Sequence, residues 1–204
     1  MRNIKPKWVI FDVGGVLYDF TKTIQETATF LEISDKELLG AYFVDYKEVE
    51  VSKRYYKDLV KKMVINLGKN HDTEKVVSLL FNTQRYIPDT LLLIKELHKA
   101  GYSLALLTNT WHGITEEVTA ELEEFHLFDK VFASSAVGIR KPNTEIFLYV
   151  EEEIKTHNSE ILFVDDRDEN ILIAKNMQWQ TFHYSLGTDE GKTSNNKLRK
   201  MLLW

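Results

Sequence analysis

The sequence predicts an α/β fold, in which a mainly parallel β-sheet is flanked by helices and a helical block is inserted after the first strand. Apolar runs of strand length alternate with helix-like segments from Pro88 onward, as they do in right-handed βαβ units. The apolar run that begins at Trp8 is continuous, which is typical of a strand that is buried on both faces. Residues 20–86, by contrast, show helical spacing and few strand signals.

The composition excludes several classes of protein. The chain has 204 residues, which suits one large domain or a core domain with a smaller insert. It has no cysteine, so disulfide scaffolds, cysteine-ligated metal sites and thiol catalysis are excluded. The net charge of −5 argues against a general nucleic-acid binder, and no apolar stretch approaches the ~20 residues that span a bilayer. We expect a cytoplasmic protein, monomeric or weakly dimeric, with neither nucleic acid nor membrane as a partner.

The first predicted strand runs from Trp8 into Asp12, and two glycines follow the aspartate. Open α/β sheets place ligands at the carboxyl ends of their strands, and glycine lets the backbone turn sharply there. Asp12 is therefore a candidate active-site carboxylate. The alternative, on this stretch alone, is an aspartate that merely begins a turn.

Residues 20–86 predict roughly four helices. Ser34 and Glu37, for example, have the spacing of a capping box at the start of one of them. The block is far longer than the usual connection within an α/β unit. We therefore predict two domains: a helical cap of residues 20–86, and a core formed by residues 1–19 and 87–204.

The second half of the chain predicts the remaining strands and helices. Pro88 suits the first turn of a helix, where its missing N–H is not needed, and Gly101 suits the end of that helix. Residues 187–196 predict a polar loop, and we expect Leu198 and its neighbours to form a terminal helix that docks on the core. The alternating segments between are strand 102–107, helix 114–125, strand 131–133, helix 143–155, strand 161–164, helix 171–176 and strand 181–184.

Polar residues recur where the predicted strands end and where one helix begins. In chain order they are Asp12, Thr108, Asn109, Lys141, Asp165 and Asp166. The carboxyl ends of parallel strands emerge at the same edge of a sheet, so we expect these side chains to converge. Two adjacent aspartates disfavour each other's ionisation unless a cation lies beside them. The set therefore indicates a metal or phosphate site at this edge.

The chemistry of the set matches phosphoryl transfer. A carboxylate such as Asp12 can attack phosphorus and form an aspartyl phosphate. The charge on the transferring group calls for a cation, a lysine and hydrogen-bond donors, and Lys141 and the Thr108 hydroxyl suit the last two roles. Magnesium prefers hard oxygen ligands, which Asp12, Asp166 and a backbone carbonyl near Gly14 would supply.

Four segments resemble the motifs of the haloacid dehalogenase (HAD) superfamily, in the same order along the chain. They are residues 11–17 (FDVGGVL), 107–109 (LTN), 140–142 (RKP) and 163–166 (FVDD). Longer matches around three of them resemble the branch of small bacterial sugar-phosphate phosphatases that includes α-glucose-1-phosphate phosphatase. The resemblance implies a Rossmann-like core with a C1-type helical cap, Mg²⁺ as the cofactor and a small phosphorylated metabolite as the substrate.

The resemblance also implies two overlapping sets of site residues. The catalytic and phosphate-binding set consists of Asp12, the nucleophile, with Thr108, Asn109 and Lys141. The magnesium set consists of Asp12, Gly14 through its carbonyl, Asp165 and Asp166. Within the magnesium set, Asp165 is expected to act through water or by supporting the other ligands.

One residue departs from the pattern of the superfamily. Most of its phosphatases have an aspartate two residues after the nucleophile, which protonates the leaving oxygen and later activates water, but this chain has Gly14. The backbone carbonyl still serves a metal, whereas the acid–base role is lost, and such help is typically worth ~10²–10⁴-fold. The sugar-phosphatase branch also tends to have glycine here. Asp19 is a candidate substitute, although a plain loop carboxylate is its simpler interpretation, and His112 is a candidate substrate contact.

Three other functions compete with a magnesium-dependent phosphatase. A dehalogenase-like hydrolase also lacks the second aspartate, but it needs no metal, so Asp165 and Asp166 would be uncompensated. A phosphorylatable receiver module has its aspartate pair before the phosphorylated residue, whereas this pair comes last. A pseudoenzyme that binds phosphorylated ligands without efficient turnover is compatible with Gly14.

Overall fold

One parallel sheet forms the centre of the computed structural model, which describes residues 4–44, 46–69 and 72–204. Within those residues the strands are β1 (Trp8–Phe11), β2 (Ser103–Thr108), β3 (Lys130–Ala133), β4 (Ile161–Asp165) and β5 (Gln180–His183). They lie in the order β3-β2-β1-β4-β5, and each neighbouring pair is parallel. The predicted α/β fold class is confirmed.

The helices fall into two groups along the chain. Those before residue 87 are α1 (Phe20–Leu31), α2 (Asp35–Tyr42), α3 (Tyr46–Val49), α4 (Tyr56–Asn66) and α5 (Thr73–Leu80). Those that alternate with the strands are α6 (Pro88–Lys99), α7 (Ile114–Glu121), α8 (Ser134–Val137), α9 (Thr144–Ile154), α10 (Asp168–Asn176) and α11 (Lys192–Leu202). Short 3₁₀ turns cover Thr83–Arg85, Glu123–Leu127 and Asn158–Glu160. Among the described residues, no helix has both the length and the apolar character that crossing a membrane requires.

Several helix ends follow from local sequence chemistry. Ser34 and Glu37 form the predicted capping box of α2, because each side chain accepts a hydrogen bond from the backbone N–H of the other. Asp72 caps α5 in a similar way. Pro88 occupies the first turn of α6, and Gly101 follows that helix with a φ of 83°.

Two predicted segments differ in extent from the structure. The helix predicted over 114–125 is shorter, because Leu122 is extended (φ −114°, ψ 110°) and a 3₁₀ turn replaces the last part. The loop predicted over 187–196 is also shorter, because the Asp189 carboxylate accepts hydrogen bonds from the Thr193 N–H and hydroxyl at 3.0 and 2.5 Å. A carboxylate in this position satisfies a free amide of the first helical turn, so α11 begins before the polar stretch has ended.

The sheet is buried on both faces. On one face, Val9 and Phe11 of β1 belong to an apolar cluster with side chains of α6 and α11. On the other face, Ile10 belongs to a cluster with side chains of α9 and α10. Successive side chains of a strand point to opposite faces, so a strand in this position requires the continuous apolar run that the sequence has.

A third apolar cluster lies among the helices before residue 87. It contains buried side chains of α1, α2, α4 and α5, such as Leu31, Leu38, Val60 and Val76. Trp111, from the loop after β2, packs into the same cluster and is 4% exposed. These helices therefore share an apolar cluster, into which the loop after β2 inserts the Trp111 indole ring.

The terminal helix is expected to stabilise the protein through one face. Leu198 has no exposed surface, whereas Met201 on the same helix is 49% exposed. We predict that Leu198→Ala lowers the free energy of unfolding by about 2–5 kcal/mol, because the truncation leaves a cavity in the core. Met201→Ala is the matched control and should change that free energy by less than about 0.5 kcal/mol. Urea unfolding curves measure both values, and equal effects would contradict the docking of α11.

Candidate active site

The strand ends bring the candidate residues to one edge of the sheet. Asp12 follows β1 directly, and its N–H donates to the Val164 carbonyl of β4 at 2.9 Å. On the other side of β1 lies β2, which ends at Thr108. Asp12 and Thr108 are 7% and 6% exposed. The Thr108 hydroxyl makes no hydrogen bond within the described part of the chain, so it is available to a ligand.

A buried lysine bridges two of the aspartates. The Lys141 Nζ lies 2.9 Å from Asp12 Oδ1 and 2.7 Å from Asp165 Oδ2, and Lys141 is 1% exposed. Desolvation of an unpaired ion costs several kcal/mol, so an ammonium in this position depends on its charged partners. Burial alone would lower the pKa of Lys141, but the Asp12 and Asp165 carboxylates raise it above its usual value. The lysine is therefore a fixed positive charge beside Asp12.

Asn109 holds the backbone of Lys141. Its Nδ2 donates to the Lys141 carbonyl and its Oδ1 accepts from the Lys141 N–H, both at 2.9 Å. The nitrogen and the oxygen of the Asn109 amide are therefore both hydrogen-bonded to the backbone of Lys141. Phosphate binding by Asn109 stays a prediction, whereas these contacts support a function in positioning Lys141.

Asp165 is a carboxylate with no exposed surface. Its Oδ1 accepts from the Arg167 N–H at 2.8 Å, and the Asn170 amide donates to both oxygens at 3.0 Å. With Lys141 on Oδ2, the carboxylate accepts hydrogen bonds at about its full capacity. Asp165 is therefore suited to anchoring Lys141, and it has little capacity left for a direct metal contact.

Three carboxylates form an acidic cluster beside this lysine. Oxygens of Asp12, Asp165 and Asp166 lie within 4.8 Å of one another, and Asp166 is the exposed member. Burial raises the pKa of Asp12 to about 7, against the opposing charge of Lys141. Burial and the neighbouring Asp165 also raise the pKa of Asp166. When all three carboxylates are ionised, they and the one lysine leave two negative charges, which a divalent cation would balance.

The two glycines after Asp12 have different functions. Gly15 has a φ of +74°, and a Cβ at that position would overlap the Asp166 carboxylate, so glycine lets the acidic cluster close. Among the described residues other than its two chain neighbours, no atom lies within 4 Å of the place that a Gly14 Cβ would take. A side chain could therefore begin at position 14 without a clash at its Cβ.

Asp19 caps a helix instead of joining the acidic cluster. Its Oδ1 accepts from the Lys22 N–H at 3.3 Å at the start of α1, and its Oδ2 lies 3.6 Å from the Lys22 ammonium. The simpler interpretation of this carboxylate is therefore supported. His112 is half-buried, and its carbonyl accepts from the Tyr56 N–H at 3.0 Å. Its side chain lines a shallow surface cleft that contains none of the candidate residues.

The sequence interpretation missed Glu50, which reaches this region from the helical block. Its carboxylate accepts from Arg140 Nε at 2.7 Å, and the two side chains are 13% and 14% exposed. Burial raises the pKa of Glu50 against the opposing charges of Arg140 and Lys141. The Glu50 carbonyl accepts from the Ser134 hydroxyl at 2.6 Å, and that hydroxyl oxygen accepts from the Thr110 N–H at 3.0 Å. The only sequence signal was Arg140, a cation next to Lys141 that needs a partner once it is buried.

Comparison with known sequences identifies a family. Residues 6–178 match the family described as haloacid dehalogenase-like hydrolase. The chain is also similar to the sesquiterpene phosphatase astK of Aspergillus oryzae. The two are 28% identical over 172 residues, which cover 83% of this chain and 85% of that protein.

Solved structures with the same fold include enzymes of two kinds. A HAD family enzyme of Bacteroides thetaiotaomicron, solved with magnesium and inorganic phosphate, is 20% identical with a TM-score of 0.71 over 90% of this chain and 96% of that chain. The L-2-haloacid dehalogenase of Xanthobacter autotrophicus, solved with chloropropionic acid covalently bound, is 20% identical with a TM-score of 0.64. That alignment covers 86% of this chain and 76% of the dehalogenase chain. The fold alone therefore does not decide whether this chain performs dehalogenase chemistry or another reaction.

The acidic cluster is expected to make the metal-free protein less stable at high pH. The pKa of Asp12 is about 7 in the folded state and ordinarily 3.8, so the folded state binds this proton more tightly than the unfolded state. Stability from this group is complete below about pH 4 and is lost as the pH rises through 7. We predict that, in EDTA, the free energy of unfolding of the wild type falls by about 1–3 kcal/mol relative to that of Asp12→Asn as the pH rises from 5 to 8. The loss of a partner for Lys141 shifts the variant by the same amount at both pH values, so the change with pH reports the Asp12 charge.

Urea unfolding at both pH values measures this difference. Asp168→Asn is the control, because the Asp168 side chain is 92% exposed, and it should have little effect at either pH. A difference between Asp12→Asn and the wild type that is the same at pH 5 and pH 8 would contradict the destabilising charge.

Proposed function

The chain belongs to the family of haloacid dehalogenase-like hydrolases, and we propose that it is a magnesium-dependent phosphomonoesterase that acts through an aspartyl phosphate on Asp12. The contact that carries the proposal is the buried Lys141 ammonium, 2.9 Å from Asp12 and fixed in place by Asp165. A phosphoryl group brings several negative charges, and a lysine beside the attacking carboxylate offsets them. The similarity to a sesquiterpene phosphatase supports the same activity.

Asp12 would begin the reaction. One of its carboxylate oxygens attacks phosphorus, the bond from phosphorus to the ester oxygen breaks, and the alkoxide takes a proton from solvent because Gly14 offers none. A water molecule then attacks the phosphorus of the aspartyl phosphate, which releases inorganic phosphate and restores the carboxylate. Lys141 holds positive charge beside the phosphoryl oxygens in both steps, and the Thr108 hydroxyl donates a hydrogen bond to one of them.

The donor set fits a divalent cation. It offers hard carboxylate oxygens and two negative charges that Lys141 does not balance. The absence of a side chain at Gly15 leaves the space that the Asp166 carboxylate occupies. We propose that Asp12, Asp166 and the Gly14 carbonyl would hold Mg²⁺, with Asp165 acting through water or by supporting Lys141. The cation would neutralise the phosphoryl oxygens and orient them towards Asp12.

We propose that residues 20–86 form a cap over a core of residues 1–19 and 87–204. The apolar cluster that these helices share supports the division. Glu50 reaches the active-site edge from this block, and the nearby Lys53 ammonium donates to the carbonyls of Ser135 and Ala136 at 2.7 and 2.9 Å. A cap in this position would exclude water from the reacting groups.

The competing functions fit the site less well. A dehalogenase needs no metal, and the acidic cluster would then keep its two excess negative charges. A pseudoenzyme would fit Gly14, but it would not need a carboxylate held against a lysine at 2.9 Å. The sugar-phosphate branch is supported by the motifs alone.

Phosphate release from p-nitrophenyl phosphate tests the proposal. We predict turnover that requires Mg²⁺, is abolished by EDTA and falls by at least about 10³-fold in Asp12→Asn, because that variant has no nucleophile. Asp58→Asn, which changes an exposed carboxylate on α4, is the control and should retain activity. Binding of inorganic phosphate without release from any phosphate ester would instead identify a binding protein.

Gly14 is expected to limit the turnover of esters with poor leaving groups. We predict that Gly14→Asp raises kcat for alkyl phosphates by about 10- to 100-fold, because an acid at this position can protonate the leaving oxygen. The gain should be smaller for p-nitrophenyl phosphate, whose leaving group needs no proton.

Gly14→Asn is the matched control, since it adds a side chain of the same size without the acid. An unchanged rate in Gly14→Asp, or equal gains in both variants, would remove Gly14 as the cause of slow turnover. Steady-state phosphate release on the two classes of ester measures the difference.

A further inference from the structure

A cavity of about 280 Å³ opens within the helical block. Its lining comes from α2, α3 and α4, from the segments beside α3, and from Trp111 in the loop after β2. The volume is near the lower end of the range for small-molecule sites. Among the described residues, none to which we assign a step of the reaction lines it.

The floor of the cavity is apolar and its mouth is polar. The buried lining residues are Leu59, Met63 and Trp111, which are 8%, 5% and 4% exposed. The charged and amide side chains of the lining are all exposed to solvent: Glu48, Arg54, Lys62 and Asn66. A ligand that reaches the floor of the cavity therefore meets hydrocarbon and aromatic surface.

Two stacked rings form one wall. Tyr42 and Trp111 lie with ring centroids 4.6 Å apart and an angle of 18° between their planes. Within the described chain, neither the Tyr42 hydroxyl nor the Trp111 indole N–H has a hydrogen-bond partner. Burial raises the pKa of Tyr42 above its usual value, so its hydroxyl keeps its proton. The wall therefore combines aromatic surface with two donors that no group of the described chain uses.

The same wall lies close in sequence to residues at the edge of the sheet where Asp12 and Thr108 lie. Trp111 comes three residues after Thr108, so their Cα atoms are at most ~11 Å apart. Val49, which also lines the cavity, precedes Glu50, whose carboxylate and carbonyl bond Arg140 and Ser134. The cavity wall is therefore connected, through Trp111 and Val49, to the segments that carry Thr108 and Glu50.

We propose that the cavity binds the organic part of the substrate and selects monoesters of apolar or aromatic alcohols. The inference rests on the proposed phosphatase activity, and it differs from the sugar phosphate that the motif resemblance implies. A sugar would bury several hydroxyl groups against Leu59 and Met63, where an unpaired hydroxyl is costly. An alkyl or aryl group gains there from burial alone, and two buried methylene groups are worth about tenfold in affinity.

Substrate preference of the wild type tests this selection. Hexyl phosphate and 2-phenylethyl phosphate are compared with glycerol 3-phosphate and glucose 6-phosphate, which are all esters of primary alcohols. Their leaving groups are therefore similar, and differences in kcat/KM report the fit of the organic part. We expect the first pair to exceed the second by at least about tenfold, mainly through KM. Equal values, or a preference for glucose 6-phosphate, would overturn the proposal.

A variant whose side chain fills the cavity tests whether the organic part of the substrate binds there. Met63→Trp places a larger ring in the floor and should lower the ratio of hexyl to acetyl phosphate kcat/KM by about tenfold or more. Ile65→Trp, on the same helix but at a position that is 63% exposed, should leave that ratio within about twofold. Acetyl phosphate is small enough to react without the cavity, so its hydrolysis reports whether the variant is folded.

If Met63→Trp does not fold, Val49→Trp fills the same cavity from a half-buried position and should lower the same ratio. An unchanged ratio in the folded variant overturns the location of the site. Acetyl phosphate also separates the two proposals, because a wild type that does not hydrolyse it lacks the phosphatase activity itself. Hydrolysis of acetyl phosphate without selection for apolar esters contradicts the cavity proposal alone.

Discussion

The candidate site depends on one buried ammonium, that of Lys141, which lies between Asp12 and Asp165. A charge that is 1% exposed persists only while both carboxylates are held against it, and the surrounding contacts serve that purpose. Asn109 clamps the lysine backbone, and Asn170 fixes the anchoring carboxylate. A fixed positive charge thus lies beside Asp12, and burial still raises the pKa of Asp12 against it.

The parallel sheet is what makes this arrangement attainable. Since β1 lies between β2 and β4, the residues that follow these strands meet beside Asp12 without long loops. The close approach of Asp166 then requires a backbone without a side chain, which Gly15 supplies. At Gly14, by contrast, a Cβ would meet no other described residue beyond the chain neighbours, so no contact at that point accounts for the missing acid.

The sequence predicted the strands and the convergence of their polar ends, because both follow from local patterns with fixed geometry. Buried strands require continuous apolar runs, and parallel strands require that their ends share an edge. The long-range contacts were beyond prediction: nothing near Glu50 in the sequence indicates that it bonds Arg140. The same holds for the cavity beside Trp111, which depends on how separate helices pack. The early start of α11 was missed because a single carboxylate, Asp189, decides it.

We propose that the Asp12 carboxylate, held against Lys141, becomes covalently phosphorylated. Rapid mixing of the protein with acetyl phosphate and Mg²⁺, followed by acid quench, digestion and mass spectrometry of the peptides, detects this intermediate. We expect a phosphoryl group on the peptide that contains Asp12, formed and lost at rates that match turnover, and absent from Asp12→Asn. Turnover with the phosphoryl group on another residue, or undiminished turnover in Asp12→Asn, would contradict it.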